Sequence, residues 1–382
     1  MVAHVVGSGS GRGTTFDPDA DPTPAMTERP SLVALGLRSE READVEPGDQ
    51  VARIGTEHRG YYDVYGLDPD DPFTLTSNAA VTSTFRRGVE SPTEYPAVGD
   101  WVVVRPGQGH RKSDAIDRVL PRSSEFVRRA PGREPKPQVV GANIDVVLIV
   151  TAADGDLSPR RLERYLAVVH GGGAEPVIVV SKADVAEDLP AALAAIGEVA
   201  GETPTYVTSL VDGRGVRELA AEVGTGRTVA FVGSSGVGKS SLTNELLGDA
   251  VQEVQETRDD GKGRHTTIRR QLLPIGNGGF LLDTPGMREV QLWEPSGLPI
   301  VFDEIDDAAA ECRFGDCEHR DEPGCAVRDA VEEGLIDPER LASMHQLTAE
   351  VEELAEALED RRRRRGEGRR PELRVDLDPN QD

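Results

Sequence analysis

The stretch Gly233-Ser-Ser-Gly-Val-Gly-Lys-Ser240 decides the fold of most of this chain, because it matches the phosphate-binding loop G-x-x-x-x-G-K-[ST]. The apolar run Thr228–Val232 precedes it as a predicted strand, and Ser240–Leu247 follows it as a predicted helix. In this setting glycines let backbone N–H groups turn onto phosphate oxygens, and the helix N-terminus adds a favourable dipole. The stretch therefore predicts a nucleotide site, with contacts from Gly233, Ser234, Ser235, Gly236, Val237, Gly238, Lys239, Ser240 and Ser241.

Two further elements are expected to complete the phosphate and Mg²⁺ site. Lys239 should reach the β- and γ-phosphates, and Ser240 should bind Mg²⁺. Downstream, Asp283-Thr-Pro-Gly286 matches D-x-x-G, in which Asp283 holds the Mg²⁺ shell through water and the Gly286 N–H senses the γ-phosphate. Between the phosphate loop and Asp283, the segment Gly263–Thr267 is surrounded by glycine and charged residues, which is typical of a mobile switch. Thr266 or Thr267 is the candidate to supply the second hydroxyl that binds Mg²⁺.

A second motif predicts which base is read. Ser181, Lys182, Ala183 and Asp184 resemble the [NT]-K-x-D element with which GTPases recognise guanine. The Asp184 carboxylate can accept hydrogen bonds from N1–H and the 2-amino group of guanine, whereas adenine offers no such pair. Lys182 would pack over the base, and the next loop would support it through Thr208 and Ser209. Taken alone, the four residues could also be an ordinary polar loop between a strand and a helix.

The order of the two motifs is the reverse of the usual one. An ordinary GTPase domain begins with its phosphate loop and carries the K-x-D element far downstream. Here residues 181–184 precede residues 233–240, which implies a circularly permuted domain. Permutation leaves the switch elements last, so we expect loss of the γ-phosphate to be transmitted through a short segment into the C-terminal domain.

Changes in the sequence pattern divide the chain into several segments and predict a multidomain α/β protein. Residues 131–292 alternate strands with helices, as a permuted P-loop GTPase domain requires. Residues 48–130 carry short strand-like runs typical of an OB-type β-barrel, which could bind oligonucleotides or serve only as a docking domain. The five predicted strands are Gln50–Ile54, Tyr61–Tyr65, Ala79–Phe85, Trp101–Val104 and Ala115–Val119.

The cysteines indicate a metal site in a helical domain at residues 293–360. All three, Cys312, Cys317 and Cys325, lie within fourteen residues of one another together with His319. Three thiolates and one imidazole would complete a tetrahedral zinc shell with no open position, so one structural Zn²⁺ per chain is expected. A cluster of free thiols is the other interpretation.

The chain of 382 residues has a net charge of −25, which argues against general nucleic-acid binding and makes local basic clusters informative. Residues 1–47 are predicted to be a disordered tail, and residues 361–382 an arginine-rich and then acidic tail. The run Arg361–Arg365 could be a solvated helix end or an RNA contact. No apolar run predicts a membrane span or a secretory signal, so we expect a cytoplasmic monomer.

Taken together, these motifs resemble the RsgA/YjeQ family of circularly permuted GTPases that depend on the small ribosomal subunit. Further matching segments are Pro96–Trp101, Ala142–Asp145, Gly263–Thr267, Cys312–His319 and Glu322–Cys325, and the likeness extends from about Val51 to Leu358. The resemblance implies hydrolysis of GTP bound with Mg²⁺, stimulated by the small subunit and its rRNA during late maturation. Ser181 departs from the usual asparagine or threonine, and its shorter side chain predicts fewer bonds bracing the loop.

The residue that orients the attacking water is predicted by elimination and resemblance. Many GTPases place a glutamine directly after D-x-x-G, but Met287 stands there and cannot orient water. His265, in the switch segment, is therefore the candidate catalytic residue, as the family resemblance also suggests. The alternative is that His265 only packs the switch. Two other functions compete with the GTPase: a zinc-dependent RNA-binding adaptor that senses nucleotide with negligible hydrolysis, and an ATPase, against which Asp184 argues.

Overall fold

The structure is a computed structural model that describes residues 30–38, 44–46, 48–68, 70–107, 114–129, 137–153, 157–224, 226–247, 270–275, 278–283, 292 and 295–365. Over these residues the chain forms a barrel, an α/β sheet and a helical C-terminal part. None of the helices in these ranges is long and apolar enough to cross a membrane.

The barrel has the five strands that the sequence predicts. They pair in the order β1-β2-β3-β5-β4, and β4 returns to β1 to close an OB-like barrel. β3 and β5 run parallel, whereas the other neighbours are antiparallel. The strands are β1 (Gln50–Glu57), β2 (Tyr62–Tyr65), β3 (Thr76–Val81), β4 (Trp101–Arg105) and β5 (Ala115–Val119).

Two segments of the barrel differ from the sequence prediction. The predicted strand Ala79–Phe85 ends early, because the Thr82 hydroxyl accepts the Phe85 N–H at 3.0 Å and starts helix α2, Ser83–Gly88. Helix α1, Pro30–Ala34, lies inside the predicted disordered tail. That prediction is wrong for residues 30–38, since these place three leucines in the barrel core: Leu32, Leu35 and Leu37.

A hairpin connects the barrel to the α/β sheet. β6 (Glu125–Arg129) pairs with β7 (Pro137–Ala142) in an antiparallel two-stranded sheet. Because the predicted boundary between residues 130 and 131 falls between these paired strands, the two predicted domains share the hairpin.

The α/β sheet has parallel strands in the order β10-β9-β8-β11-β13, with β12 antiparallel at the end. Every residue of β8 and β11 is buried, as expected for central strands covered on both faces. The strands are β8 (Val146–Ala152), β9 (Glu175–Ser181), β10 (Thr205–Val207), β11 (Thr228–Val232), β12 (Gln271–Pro274) and β13 (Phe280–Asp283). The helices are α3 (Pro159–Gly171), α4 (Leu189–Ala200), α5 (Val216–Val223) and α6 (Lys239–Leu247).

The barrel and the α/β sheet are joined by backbone pairing and by a buried arginine. Thr56 of β1 is in register with Gln271 of β12, which makes one continuous eleven-stranded sheet. Arg53 is 1% exposed, and its guanidinium donates to the Leu35 carbonyl at 2.7 Å and to Thr228 Oγ1 at 2.6 Å. One buried side chain thus connects the turn directly after α1 with β1 and β11.

The C-terminal part has four α-helices among the described residues, and the first and last of them pack against α3. They are α7 (Leu298–Val301), α8 (Asp303–Ala309), α9 (Ala326–Glu332) and α10 (Pro338–Arg365). A side chain at Gly297 would lie 2.0 Å from the Ala167 carbonyl of α3, so the chain approaches this helix as closely as only glycine allows. The backbone of α10 continues through Arg365, and the predicted tail at 361–382 therefore begins inside a helix.

A buried polar cluster holds this part on α3. Arg340 of α10 donates to Glu163 of α3 at 3.0 Å and to Glu304 of α8 at 2.9 Å. Burial raises the pKa of Glu163, while Ser343 and Arg340 act in the opposite direction by donating hydrogen bonds to its carboxylate. The cluster ties α8 and α10 to α3, because Arg340 bonds to a carboxylate on each of the other two helices. Each charged group in it has an oppositely charged or hydrogen-bonding partner, as buried charges require.

Candidate functional site

The phosphate-loop segment has a backbone shape that requires its glycines. Strand β11 ends at Val232, and Gly233 follows it with a φ of +135°; a Cβ there would lie 2.2 Å from the Val150 carbonyl on β8. Gly236 and Gly238 also have positive φ, of +84° and +95°. The loop then enters α6 at Lys239, so its backbone N–H groups lead into a helix N-terminus.

Lys239 lies against this loop. Its ammonium Nζ donates to the Gly233 carbonyl at 2.7 Å and to the Ser234 carbonyl. Because both acceptors belong to the loop itself, the positive charge is held at the turn where phosphate oxygens would bind. The side chain of Val237, in the middle of the loop, is buried in the apolar core formed with residues of β8 and β11, and this anchors the loop to the sheet.

Ser181 joins the predicted base motif to the predicted phosphate loop. It is the last residue of β9 and is 4% exposed, and its Oγ lies 2.6 Å from the Val237 carbonyl and 3.2 Å from the Thr151 carbonyl. One hydroxyl hydrogen can be donated to only one of these acceptors at a time, and Val237 is the nearer. Serine therefore makes the link to the phosphate loop in spite of its short side chain.

The remaining base-motif residues lie on two neighbouring loops. Lys182 has a left-handed φ of +56°, and the Ala183 N–H donates to the Thr208 carbonyl at 3.1 Å. Ser209 is buried and its Oγ accepts the Val211 N–H at 3.3 Å, which shapes the second loop. Asp184 is exposed, as a carboxylate that meets a ligand must be.

Removing the Ser181 hydroxyl is expected to weaken nucleotide binding. Ser181→Ala leaves the Val237 carbonyl without this donor, and one such bond contributes roughly 0.5–1.5 kcal/mol. We expect GTP and GDP affinity to fall about 2- to 10-fold, measured by calorimetry or with fluorescent nucleotides. Ser181→Thr is the matched control, because it keeps the hydroxyl and should keep the affinity. Equal affinity for Ser181→Ala and the parent would contradict the bracing role.

Asp283 lies at the same edge of the sheet. It ends β13, whose parallel neighbour is β11, the strand that feeds the phosphate loop. Residues 181–184, 208–209, 233–241 and 283 thus gather at the carboxyl ends of adjacent parallel strands, where open α/β sheets bind ligands. Four predicted residues lie outside the described residues: His265, Thr266, Thr267 and Gly286.

The predicted metal ligands converge in the C-terminal part. One donor atom from each of Cys312, Cys317, His319 and Cys325 lies within 4.8 Å of the others. His319 Nδ1 is 3.6 Å from Cys312 Sγ and 3.5 Å from Cys325 Sγ, and the two sulfurs are 3.9 Å apart. Spacings of this size fit four ligands around one tetrahedral ion, whose bonds are roughly 2.0–2.3 Å long.

The surroundings of these four residues suit a structural ion such as Zn²⁺. Burial lowers the pKa of His319, which favours the neutral imidazole that binds metal. The loop is braced by Glu322, whose carboxylate accepts the N–H of Glu318 at 2.9 Å and of Arg320 at 2.8 Å. Those backbone donors, that of Glu318 foremost, lower the pKa of Glu322 to about 2.

The sequence did not identify this bracing role of Glu322 or the docking role of Arg340. The only sequence signal for the role of Glu322 is its position three residues before Cys325. Arg340 has none, since its partners are distant along the chain.

Two family models match the chain. The model described as "RsgA GTPase" matches residues 119–293, and the one described as "50S ribosome-binding GTPase" matches residues 228–359. The chain is 41% identical over 324 residues to "Small ribosomal subunit biogenesis GTPase RsgA 2" of Lactiplantibacillus plantarum, covering 84% of this chain and 89% of that protein. It is 45% identical over 330 residues to "Small ribosomal subunit biogenesis GTPase RsgA" of Xanthomonas oryzae pv. oryzae, covering 84% and 87%.

Solved structures show the same architecture. YjeQ from Thermotoga maritima superposes with a TM-score of 0.58 at 28% identity, covering 79% of this chain and 98% of that one. A structure described as YloQ, a circularly permuted GTPase, gives a TM-score of 0.58 at 24% identity over 80% of this chain, which supports the fold.

Proposed function

This chain belongs to the RsgA family of GTPases, and from that premise we propose that it hydrolyses GTP on the small ribosomal subunit and assists the late maturation of that subunit. The observation that carries the proposal is the hydrogen bond from Ser181 to Val237. It unites a guanine-reading motif and a phosphate loop that occur in permuted order along the chain. One hydrogen bond therefore joins the two motifs proposed to hold the nucleotide, although they are far apart along the chain.

The site residues divide the nucleotide between them. Asp184 reads the guanine edge while the Lys182 side chain covers the base, and Thr208 and Ser209 support that loop. Lys239 and the backbone of residues 233–241 hold the phosphates. When bound with GTP, Mg²⁺ supplies charge neutralisation between the β- and γ-phosphates. Its proposed protein contacts are the hydroxyls of Ser240 and Thr267, with Thr266 as the alternative, and Asp283 through water.

Hydrolysis assays separate this function from its two competitors. We expect GTP but not ATP to be hydrolysed, slowly alone and faster with purified small subunits. A nucleotide-sensing adaptor would bind GTP and show no stimulated turnover, whereas an ATPase would turn over ATP. Activity towards GTP that small subunits leave unchanged would contradict the proposed partner.

His265 is proposed to orient the attacking water. We expect His265→Ala to bind GTP with unchanged affinity and to lose most of the hydrolysis stimulated by small subunits, roughly 10²-fold or more. Single-turnover measurements with and without subunits test this effect on the chemical step.

The matched control is His170→Ala, which removes a histidine from the last turn of α3. Stimulated turnover in His265→Ala equal to the parent would restrict His265 to packing the switch. Equal losses in His265→Ala and His170→Ala would also contradict a specific role in hydrolysis.

The remaining expectations concern partners and assembly. Ribosomal RNA is the proposed macromolecular contact, and the working form is a cytoplasmic monomer with one structural Zn²⁺. The arginine run at residues 361–365 is a candidate for RNA contact, because it places five consecutive cationic residues at the end of α10.

A further inference from the structure

The barrel holds the first residue of β13, the strand that ends at Asp283. The side chain of that residue, Phe280, is fully buried in the apolar core that the barrel shares with the α/β sheet. We propose that Phe280 is a positioning residue for Asp283, so that the barrel sets where this carboxylate lies in the nucleotide site. The inference deepens the proposed function and rests on the part of it in which Asp283 holds the Mg²⁺ shell through water.

Side chains of the barrel surround the Phe280 ring. The Phe73 ring, in the turn between β2 and β3, stacks on it at a centroid distance of 5.7 Å and an angle of 21°. The Tyr65 ring of β2 lies 5.7 Å away at 55°. The Arg53 guanidinium carbon is 5.1 Å from the Phe280 centroid and 5.2 Å from that of Trp101 on β4. Because ring pairs and cation–π contacts depend on geometry, these neighbours favour one placement of the Phe280 ring.

The same barrel side chains also hold the strands on both sides of β13. Arg53 donates to Thr228 Oγ1 at 2.6 Å, and Thr228 is the β11 residue in register with Phe280. The Tyr65 hydroxyl donates to the Leu272 carbonyl of β12 at 2.8 Å. The barrel therefore holds β11, β12 and β13 together near the start of β13, which restricts sliding of β13 along its own axis.

Strand β13 carries this restraint to the nucleotide site over a short distance. It has four residues, and at about 3.3 Å per residue Phe280 and Asp283 are about 10 Å apart along the strand. Its first three residues pair in consecutive register with β11, so the strand is expected to move as one piece. Misplacement of a group in a site by about 1 Å can cost roughly 10²-fold in rate. Small shifts at Phe280 should therefore matter at Asp283.

Core packing alone is the simpler explanation of a buried phenylalanine. It predicts that loss of the ring lowers stability and leaves the Mg²⁺ dependence of nucleotide binding unchanged. Positioning of Asp283 predicts weaker Mg²⁺ binding in addition, since groups outside the ligand shell commonly contribute roughly 10- to 100-fold to metal affinity. The two explanations thus differ in a binding measurement that does not depend on turnover.

The test titrates Mg²⁺ into the full chain with a fluorescent GTP analogue that is not hydrolysed, and follows nucleotide affinity. Phe280→Leu should raise the Mg²⁺ concentration that gives half of the gain in affinity by roughly 10-fold or more, and should leave affinity in EDTA unchanged. Phe73→Leu alters a half-buried barrel residue and should shift the same concentration by about 2- to 30-fold. The matched control Phe302→Leu removes a buried ring from the C-terminal part. It should lower thermal stability without changing the Mg²⁺ requirement.

A double-mutant cycle tests whether the effect runs through Asp283. In an Asp283→Asn background, Phe280→Leu should add little further shift, because the carboxylate that it positions is gone. A shift as large as in the parent background would overturn the proposal. So would an unchanged Mg²⁺ requirement in Phe280→Leu, or an equal shift in Phe302→Leu. If Phe280→Leu does not fold, Phe73→Leu decides, and an unchanged requirement there overturns the proposal.

The same titration separates this inference from the proposed function. A parent chain whose GTP affinity is independent of Mg²⁺ would contradict the role proposed for Asp283, and the positioning role with it. A parent chain that needs Mg²⁺, with variants that need no more of it, would overturn the positioning role alone. Stimulation of hydrolysis by small subunits is measured separately, and its absence would overturn the proposed partner and leave the role of Phe280 standing.

Discussion

Lys239→Ala is expected to reduce GTP turnover by roughly 10²- to 10³-fold, the loss typical when one preorganised donor to a developing charge is removed. The ammonium group lies against the Gly233 and Ser234 carbonyls, and no other lysine belongs to the loop. Without the Lys239 ammonium, one cation fewer stabilises the negative charge that develops on the phosphates during transfer. Multiple-turnover assays with and without small subunits measure the loss, and nucleotide titration separates it from weaker binding.

The matched control for Lys239→Ala is Arg217→Ala, which removes one positive charge from the exposed side of α5. It should hydrolyse GTP at the parental rate. A Lys239→Ala protein with turnover within a few-fold of the parent would mean that Lys239 is only a structural part of the loop.

Cys325→Ser is expected to abolish stoichiometric zinc binding and to unfold the C-terminal helices. Cys325 is 2% exposed and directly precedes α9, so its ligand bond would tie the loop to the helix core. Zinc affinity should fall by more than roughly 100-fold, since changes outside the ligand shell alone cost 10- to 100-fold. Metal content after dialysis and limited proteolysis of the C-terminal part measure both effects, and chelation of the parent chain should reproduce them.

His319→Ala extends the zinc test to the imidazole ligand, and His345→Ala is its matched control. His345 lies in the same part of the chain and contacts only the Glu318 carbonyl, at 3.0 Å, among the bonds described for it. We expect His345→Ala to keep one zinc per chain. A parent chain without zinc, or a His319→Ala chain that keeps one, would contradict a Cys₃His ion site.

The elements with strong local signals were predictable from the sequence. β11 and β5 have the predicted bounds, because a continuous apolar run and an alternating run between turn residues each leave little choice. The Cys/His cluster was predictable because ligand types and spacing are chemical constraints. The site residues of the base motif and phosphate loop meet at one sheet edge, and their roles in binding stay predictions.

The elements that depend on distant partners were not predictable. β12 is four residues long and owes its place to β13 on one side and β1 on the other. Helix α1 has five residues, too few for a periodic signal, and is held by leucines that enter a core formed by later strands. Ser181 illustrates the same limit at the site, because its bond to Val237 joins residues 56 positions apart.

The pairing of β1 with β12 also covers part of an open sheet edge. β12 would otherwise be the outermost strand of the α/β sheet, with its backbone N–H and C=O groups open to a strand from another molecule. The barrel covers part of that edge through the Thr56–Gln271 pair and through the Tyr65 hydroxyl, which donates to the Leu272 carbonyl at 2.8 Å. A chain shortened to begin after β5 would lose this cover and expose the β12 edge to pairing with a strand of another molecule.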